Sequence, residues 1–240
     1  MTCSWCGAAA TVGGSAHCAK CLLTAAGGDS DVSVLAGADD CPPCELLSLV
    51  GETSRATTFL GEQTWPVRRL VAFKLFKAGA GCPWTGDERS GTVPGNPIFT
   101  PMAERGRIAA RPYVVTPYFG GGSLPQCLDR HRLTLAARTE ALIAVADAVA
   151  QAHLHGTGHG HLVPANILCD PRPPFAVHIV DFECNAGKTA GRTPDELMQD
   201  DVARLIELVE LVLQGTVRLV ARSASEVRGA LQDLQPPYPS

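Results

Sequence analysis

The chain has 240 residues, of which 45% are hydrophobic and 18% charged, and this composition is typical of a globular protein rather than of a disordered one. The formal net charge is −4 and no block of lysine and arginine occurs, which argues against a nucleic-acid partner. No apolar run is long enough to span a bilayer, and the first residues lack the pattern of a signal peptide. We therefore expect a cytoplasmic protein that does not bind membranes.

Four cysteines near the N-terminus have the spacing of a zinc knot. Two CxxC pairs are separated by eleven residues, and each CxxC turn directs two thiolates at one tetrahedral centre. The predicted Zn²⁺ ligands are Cys3, Cys6, Cys18 and Cys21, with His17 as an alternative to Cys18. Because four thiolates leave no open position, the ion would be structural and would supply the folding free energy of a zinc ribbon over residues 1–24.

A third CxxC, "CPPC" from Cys41 to Cys44, has no partner pair. A metal or redox role is possible for it, but the weaker signal favours Cys44 simply opening a strand. Residues 25–43 are small, polar and rich in glycine, which predicts a linker. The remaining cysteines are scattered singly and are predicted to be buried apolar side chains: Cys82, Cys127, Cys169 and Cys184.

Beyond the linker, strand patterns precede helix patterns. Strands are predicted at residues 45–51, 68–77 and 111–119, and "PFAVHIVDFE" at 174–183 forms a later short one. Helical spacing of leucine and valine predicts helices over 133–155 and 200–213, the second with Asp200 or Asp201 as N-cap. This order favours an α+β class with two lobes.

Six fragments in this order resemble the protein kinase family, in particular bacterial serine/threonine kinases that carry a zinc knot ahead of the catalytic domain. The fragments are "VAFKLF", "YVVTPYFGGGSL", "HGHLVPANIL", "HIVDFE", "DDVARL" and "SASEVRGAL". The resemblance implies a two-lobed kinase-like domain over residues 44–235. Its β-rich N-lobe would span about 44–115, its hinge 116–122 and its helical C-lobe 123–235.

The resemblance also implies an ATP and Mg²⁺ site. Lys74 would grip the α and β phosphates, and Asn166 and Asp181 would hold Mg²⁺. Asp201 would brace the catalytic loop as a structural residue. The other implied nucleotide-binding residues are Gly51, Thr53, Thr116 at the gatekeeper position, Pro117 and Phe119.

The sequence departs from the kinase pattern at the position of the catalytic aspartate, where His161 stands. A neutral imidazole can accept a proton but does not supply the negative charge that orients an acceptor hydroxyl. Thr53 and Ala56 replace two glycines of the phosphate-binding loop, although the hydroxyls of Thr53, Ser54 and Thr57 could compensate. Glu183 follows "DF" in place of glycine and is either a spare metal ligand or a strand-end charge.

The region 78–95 is rich in glycine and proline, which disfavours the long helix that kinases carry there. Its Glu88 is the only glutamate that could pair with Lys74.

The leading interpretation is a pseudokinase or weak serine/threonine kinase that binds ATP and Mg²⁺ and acts in signalling through a protein partner. The alternatives are an active phosphotransferase, acting on proteins or small molecules through a non-standard residue, and an interaction scaffold that binds no nucleotide. The abundance of alanine, glycine, proline and arginine is typical of a GC-rich bacterial genome.

Overall fold

The computed structural model describes residues 44–63, 67–80, 96–108, 111–130, 133–170, 175–182 and 191–235. The strands are β1 (Glu45–Glu52), β2 (Ala56–Gln63), β3 (Arg69–Phe76), β4 (Glu104–Ile108), β5 (Arg111–Pro117), β6 (Ile167–Asp170) and β7 (Ala176–Ile179). The helices are α1 (Leu124–Arg130), α2 (Leu135–Leu154), α3 (Pro194–Val212) and α4 (Ala224–Asp233). No helix in these ranges is long and apolar enough to cross a membrane.

The described residues fall into two compact units. The first contains the residues up to 80 together with 102–118, and the second contains 96–101 and the residues from 119 onward. The division along the chain lies between Tyr118 and Phe119, inside the segment predicted as a hinge. The segment 96–101 groups with the second unit, which the sequence pattern did not indicate.

The first unit is a five-stranded antiparallel sheet in the order β1-β2-β3-β5-β4. Alternate side chains of β3 are buried because successive residues of a strand point to opposite faces. One face carries a cluster in which the ring of Phe73 stacks on Tyr113 at 5.2 Å between centroids. The buried members of this cluster are Cys44, Leu46, Phe59, Val71, Phe73, Leu75, Ile108, Tyr113 and Val115.

The second unit is built around α2, which packs against α3, α4 and β7. The hydroxyl of Thr134 caps the first turn of α2 by accepting the N–H of Ala137 at 3.2 Å, and Gly156 follows the helix with a φ of 71°. The core of this unit includes Leu142, Val149, Leu205 and Val209. The predicted order of strands before helices is confirmed.

Several sequence predictions are corrected here. Helix α3 begins at Pro194, not near Asp200, because Thr193 and Glu196 form a reciprocal capping box about two turns earlier. The sequence patterns also missed β2, β4, β6 and α1. The pattern did place α2 correctly, and the helix ends where Gly156 was expected to stop it.

Two of the scattered cysteines lie in the core of the second unit. Cys127 on α1 and Cys169 on β6 are both fully buried. Burial raises the pKa of both thiols, as expected of inert core cysteines. Cys82 and Cys184 lie outside the described residues.

Candidate nucleotide and catalytic-loop site

Three of the predicted nucleotide-binding residues lie on one face of the five-stranded sheet. Gly51 pairs with Thr58, which in turn pairs with Lys74. Ala72, two residues before Lys74 on β3, pairs with Thr116. Because directly opposed residues of antiparallel strands share a face, these positions lie on the side of the sheet opposite the buried cluster.

Lys74 is partly buried, and its ammonium group lies 5.6 Å from the centroid of the Phe76 ring. This contact keeps the charge near an aromatic face on the same strand. The strand carries Lys74 because the alternation of β3 puts Phe73 and Leu75 into the core and the lysine on the other face. A cation fixed on a rigid strand has the chemistry needed to bind phosphate.

The turn between β1 and β2 is organised around Thr53. Its hydroxyl oxygen accepts the N–H of Arg55 at 3.3 Å and the N–H of Ala56 at 3.1 Å. The same hydroxyl donates to the carbonyl of Ala56, which also accepts the backbone N–H of Thr53 at 2.8 Å. The Thr53 hydroxyl, expected to replace lost phosphate contacts, is therefore engaged within the turn itself.

The segment predicted as a hinge carries an aromatic contact that the sequence did not reveal. Phe119 stacks on His178 of β7 with the ring centroids 3.9 Å apart and the planes inclined by 14°. Burial lowers the pKa of His178, against the opposing influence of Asp170, so the neutral ring is favoured. One face of Phe119 is consequently covered by an imidazole. Pro117 ends β5 opposite Val71.

The segment predicted as the catalytic loop, which keeps that name below, is anchored by a buried carboxylate on α3. Asp201 is fully buried and accepts the backbone N–H of His159 at 2.6 Å and that of Gly160 at 2.8 Å. The Nε2 atom of His153, on the last turn of α2, lies 3.1 Å from the same carboxylate. These contacts hold a loop of irregular backbone against a helix. The bracing of a catalytic loop by Asp201 stays a prediction.

His159 itself is held in one tautomer. Its Nδ1 atom accepts the N–H of His161 at 3.2 Å, so the ring proton lies on Nε2 and is donated to the carbonyl of Val180 at 3.0 Å. His159 thus links the catalytic loop to the residue that precedes Asp181. Gly160 has a φ of 68°, a conformation that favours glycine.

His161 and Asn166 are joined through their backbone and side-chain groups. The carbonyl of His161 accepts the Asn166 side-chain amide at 3.0 Å and the N–H of Val163 at 3.0 Å. Since the amide nitrogen of Asn166 is the donor, its Oδ1 atom is the acceptor, and an oxygen is what Mg²⁺ requires. Only 9% of the surface of Asn166 is exposed, and the residue ends a short 3₁₀ turn that begins at Pro164.

Asp181 lies beside Asn166 because β6 and β7 are antiparallel. Ile167 pairs with Ile179, and the N–H of Val180 donates to the Asn166 carbonyl at 2.9 Å. The backbone of Asp181 has a φ of 66°, an unusual value that asparagine and aspartate tolerate better than most residues. Two oxygen-bearing side chains therefore come from the adjoining ends of two paired strands.

Phe182 completes an aromatic series within the second unit. Its ring meets His159 edge-on at 5.5 Å and Phe99 at 4.9 Å between centroids. The backbone on either side of Phe99 is fixed to β7, since the N–H of Thr100 donates to the Ile179 carbonyl and the N–H of Ile179 donates to the Ile98 carbonyl. The sequence pattern missed Phe99, His153 and His178, all of which act through contacts distant along the chain.

Several predicted residues lie outside the described ranges: the zinc ligands Cys3, Cys6, Cys18 and Cys21, the motif residue Cys41, and the carboxylates Glu88 and Glu183. The described parts on either side of 81–95, namely 77–80 and 96–103, contain no helix. Within the described residues no group of three or more histidine, cysteine or acidic side chains could hold a metal ion. Any Mg²⁺ bound there would rely on Asn166, Asp181 and the phosphates of a nucleotide, as such sites commonly do.

The fold defined by these two units is that of a protein kinase-like protein. No known family model matches the sequence, and no curated protein matches it. Among solved structures, the chain is similar to Rad53 in complex with AMP-PNP, with a TM-score of 0.58 and 20% identity over 78% of this chain. The match spans 54% of the Rad53 chain, or about half its length.

The chain is also similar to the kinase domain of PknI from Mycobacterium tuberculosis. One double mutant of PknI gives a TM-score of 0.53 with 17% identity over 81% of this chain and 79% of that chain. A second gives 0.57 with 15% identity over 80% of this chain and 95% of that chain. These neighbours are protein kinases, and at this level of identity the likeness establishes the fold. The predicted kinase-like fold is confirmed.

Proposed function

We propose that this chain is a degenerate kinase-like protein that binds ATP with Mg²⁺ and acts in regulation, as a pseudokinase or a weak serine/threonine kinase. One observation carries the proposal: Asp201 anchors the catalytic loop, and that loop presents Asn166 beside Asp181 while His161 stands at the position of the base. The loop is fixed, the oxygens that could hold Mg²⁺ are present, and the base is altered. This combination fits a protein that binds nucleotide but transfers phosphate slowly. The AMP-PNP bound to Rad53 supports a nucleotide ligand.

Each residue would have a separate task. Lys74 would neutralise phosphate charge, and Asn166 Oδ1 and the Asp181 carboxylate would hold Mg²⁺, which when bound shields the negative charge of the phosphates. His161 would be the group nearest the acceptor hydroxyl. An imidazole there lacks the fixed negative charge of a carboxylate, so transfer would fall by roughly 10² to 10⁴.

Nucleotide binding is tested by thermal unfolding of the full chain during ATP titration, with and without Mg²⁺. We expect an ATP-dependent rise in melting temperature that Mg²⁺ enhances and that Lys74→Ala and Asp181→Asn both abolish. Asp129→Asn, which changes an exposed carboxylate on α1, serves as the matched control and should behave as the parent. No shift at millimolar ATP would refute the proposal and favour the scaffold without nucleotide.

The role of His161 is tested by restoring the carboxylate. If the altered base is the main defect, His161→Asp should raise ADP release in the presence of a generic protein acceptor by about 10²-fold or more. His155→Asp, an exposed substitution just after α2, controls for the added charge. A parent that already transfers phosphate at an ordinary kinase rate would instead identify an active phosphotransferase using His161.

The zinc ribbon is a separate part of the proposal and is supported by the cysteine spacing alone. We expect one zinc ion for each purified chain, lost in Cys3→Ser, with the metal acting as a structural element of residues 1–24. Chelation should leave the unfolding of the kinase-like part unchanged. A chain that contains no zinc after expression in zinc-supplemented medium would contradict this part.

We further propose a cytoplasmic location and a protein partner.

A further inference from the structure

The turn between β1 and β2 has the position of a phosphate-binding loop but is closed on itself. A loop of this kind binds phosphate by pointing backbone N–H groups at the anion. Here the N–H groups of Thr53, Arg55 and Ala56 all donate within the turn, to the Ala56 carbonyl and the Thr53 hydroxyl. A phosphate would have to displace these bonds before it could use the same donors.

The backbone of the turn also lacks the shape of an anion nest. A nest alternates right-handed and left-handed residues so that successive N–H groups converge. Residues 51–57 are all described, and none of them has a positive φ. The donors are therefore directed into the turn by its conformation as well as by their hydrogen bonds.

Three further contacts tie this turn to the residues that follow β3. The N–H of Lys77 donates to the Arg55 carbonyl at 2.8 Å, and the Arg55 guanidinium donates to the Ala80 carbonyl at 3.1 Å. The Lys77 ammonium lies 2.6 Å from the Glu52 carboxylate. Opening the turn would disturb these contacts too, so the turn has little freedom to close over a ligand.

We propose that Thr53 is a specificity-determining residue that keeps this turn closed, so that a bound adenine nucleotide receives no backbone contact from it. The inference rests on the nucleotide binding proposed above. Within this unit, phosphate recognition is then left to Lys74, to which the resemblance assigns the α and β phosphates. Since ADP and ATP both carry these two phosphates, the two nucleotides bind with similar affinity.

The test compares dissociation constants for MgADP and MgATP, by calorimetry, in the parent, Thr53→Ser and Thr53→Gly. The parent and Thr53→Ser, which keeps the hydroxyl, should bind the two nucleotides within about threefold of each other. Thr53→Gly removes the hydroxyl acceptor and permits a positive φ, so it should favour ATP by roughly tenfold through new charge-assisted N–H contacts. A parent that prefers ATP tenfold, or a Thr53→Gly ratio equal to the parent's, overturns the proposal.

The ratio of the two dissociation constants reports on the turn, because a general loss of affinity would change both constants equally. Amide hydrogen exchange tests the closed turn in the absence of nucleotide. The N–H groups of Arg55 and Ala56 should exchange slowly in the parent and in Thr53→Ser, and faster in Thr53→Gly, while Phe59 in β2 stays protected in all three. Fast exchange in the parent overturns the closed turn. If neither nucleotide binds, the proposed function fails and the ADP and ATP inference with it, while the exchange data still decide the conformation of the turn.

Discussion

At the scale of single residues, two glycines differ in whether packing requires them. A Cβ atom added to Gly158, in the catalytic loop, would lie 2.7 Å from the Cβ of Leu197 and 2.9 Å from the backbone nitrogen of Met198. A Cβ atom added to Gly51 would meet nothing within 4 Å. Packing therefore requires glycine at position 158, whereas position 51 faces open space.

Alanine at these two positions should accordingly have different effects. Gly158→Ala forces the loop away from α3 and should lower the free energy of unfolding by about 1–3 kcal/mol. Gly51→Ala should change it by less than about 0.5 kcal/mol. Urea unfolding measures both. Equal effects of the two substitutions would contradict the close approach at Gly158.

His178 makes stability depend on pH. Burial lowers its pKa in the folded protein, so the unfolded chain binds the proton more tightly and stability rises with pH. The contribution is complete above the ordinary histidine pKa near 6.5 and is lost as pH falls from there through the lower folded pKa. We expect the melting temperature to fall between pH 7 and pH 5.

The matched variant is His178→Phe, which keeps a ring against Phe119 but cannot be protonated. Its melting temperature should fall less steeply over the same pH range than that of the parent. His155→Phe, at an exposed histidine, should leave the slope as it is. A slope that is unchanged in His178→Phe would assign the pH dependence to other groups.

At the scale of elements, the contact between α3 and the catalytic loop depends on one carboxylate. Asp201→Asn replaces one acceptor oxygen of the carboxylate by an amide group, which is a donor. This group would face the buried N–H groups of His159 and Gly160, which are also donors. We expect a loss of about 3 kcal/mol in the free energy of unfolding. Chemical denaturation provides the measurement.

Asp200→Asn is the matched control, since it changes the neighbouring carboxylate. Asp200 is partly exposed and lies 3.4 Å from Arg192 and 3.8 Å from Arg204. Such surface pairs contribute less than about 1 kcal/mol. A loss for Asp200→Asn as large as that for Asp201→Asn would show that the charge on α3 matters rather than the anchoring of the loop.

The same elements show what the sequence could predict. The spacing of leucine and valine predicted α2 because a buried helix repeats its contacts every turn. The start of α3 was misplaced because an aspartate resembles an N-cap in sequence, whereas Asp201 is buried in mid-helix and Thr193 is the cap. Strand β2 was missed because Gly61 and the polar residues Glu62 and Gln63 weaken its strand signal, and pairing on both sides stabilises it.

The candidate site was predictable to the extent that it follows motif spacing. Lys74, Asn166, Asp181 and Asp201 each belong to a short segment that is a weak signal alone and becomes specific only in the correct order with the others. The closed turn at Thr53 was not predictable, because a threonine hydroxyl serves a ligand or its own backbone according to local geometry. The contacts of Phe119 and Phe99 join segments far apart in sequence, which periodicity does not encode.

At the scale of the whole molecule, the described residues contain two separate hydrophobic clusters, one in each unit. Phe73→Ala should leave a cavity in the sheet unit, and Leu142→Ala one in the helical unit, each costing about 2–5 kcal/mol. Hydrogen exchange should rise mainly in the unit that carries the substitution. Equal acceleration in β3 and α2 by either variant would show that the two clusters unfold as one.

The bonds from His159 and Gly160 to Asp201 have a consequence for synthesis of the chain. They join residues 42 and 41 positions apart, and the carboxylate is the later partner to leave the ribosome. Until α3 has emerged, the two backbone N–H groups have no acceptor at that position, and the loop cannot take its final form. A nascent chain arrested before residue 194 should therefore hold the loop open to proteases, and the loop should become resistant only after the helix behind it has been translated.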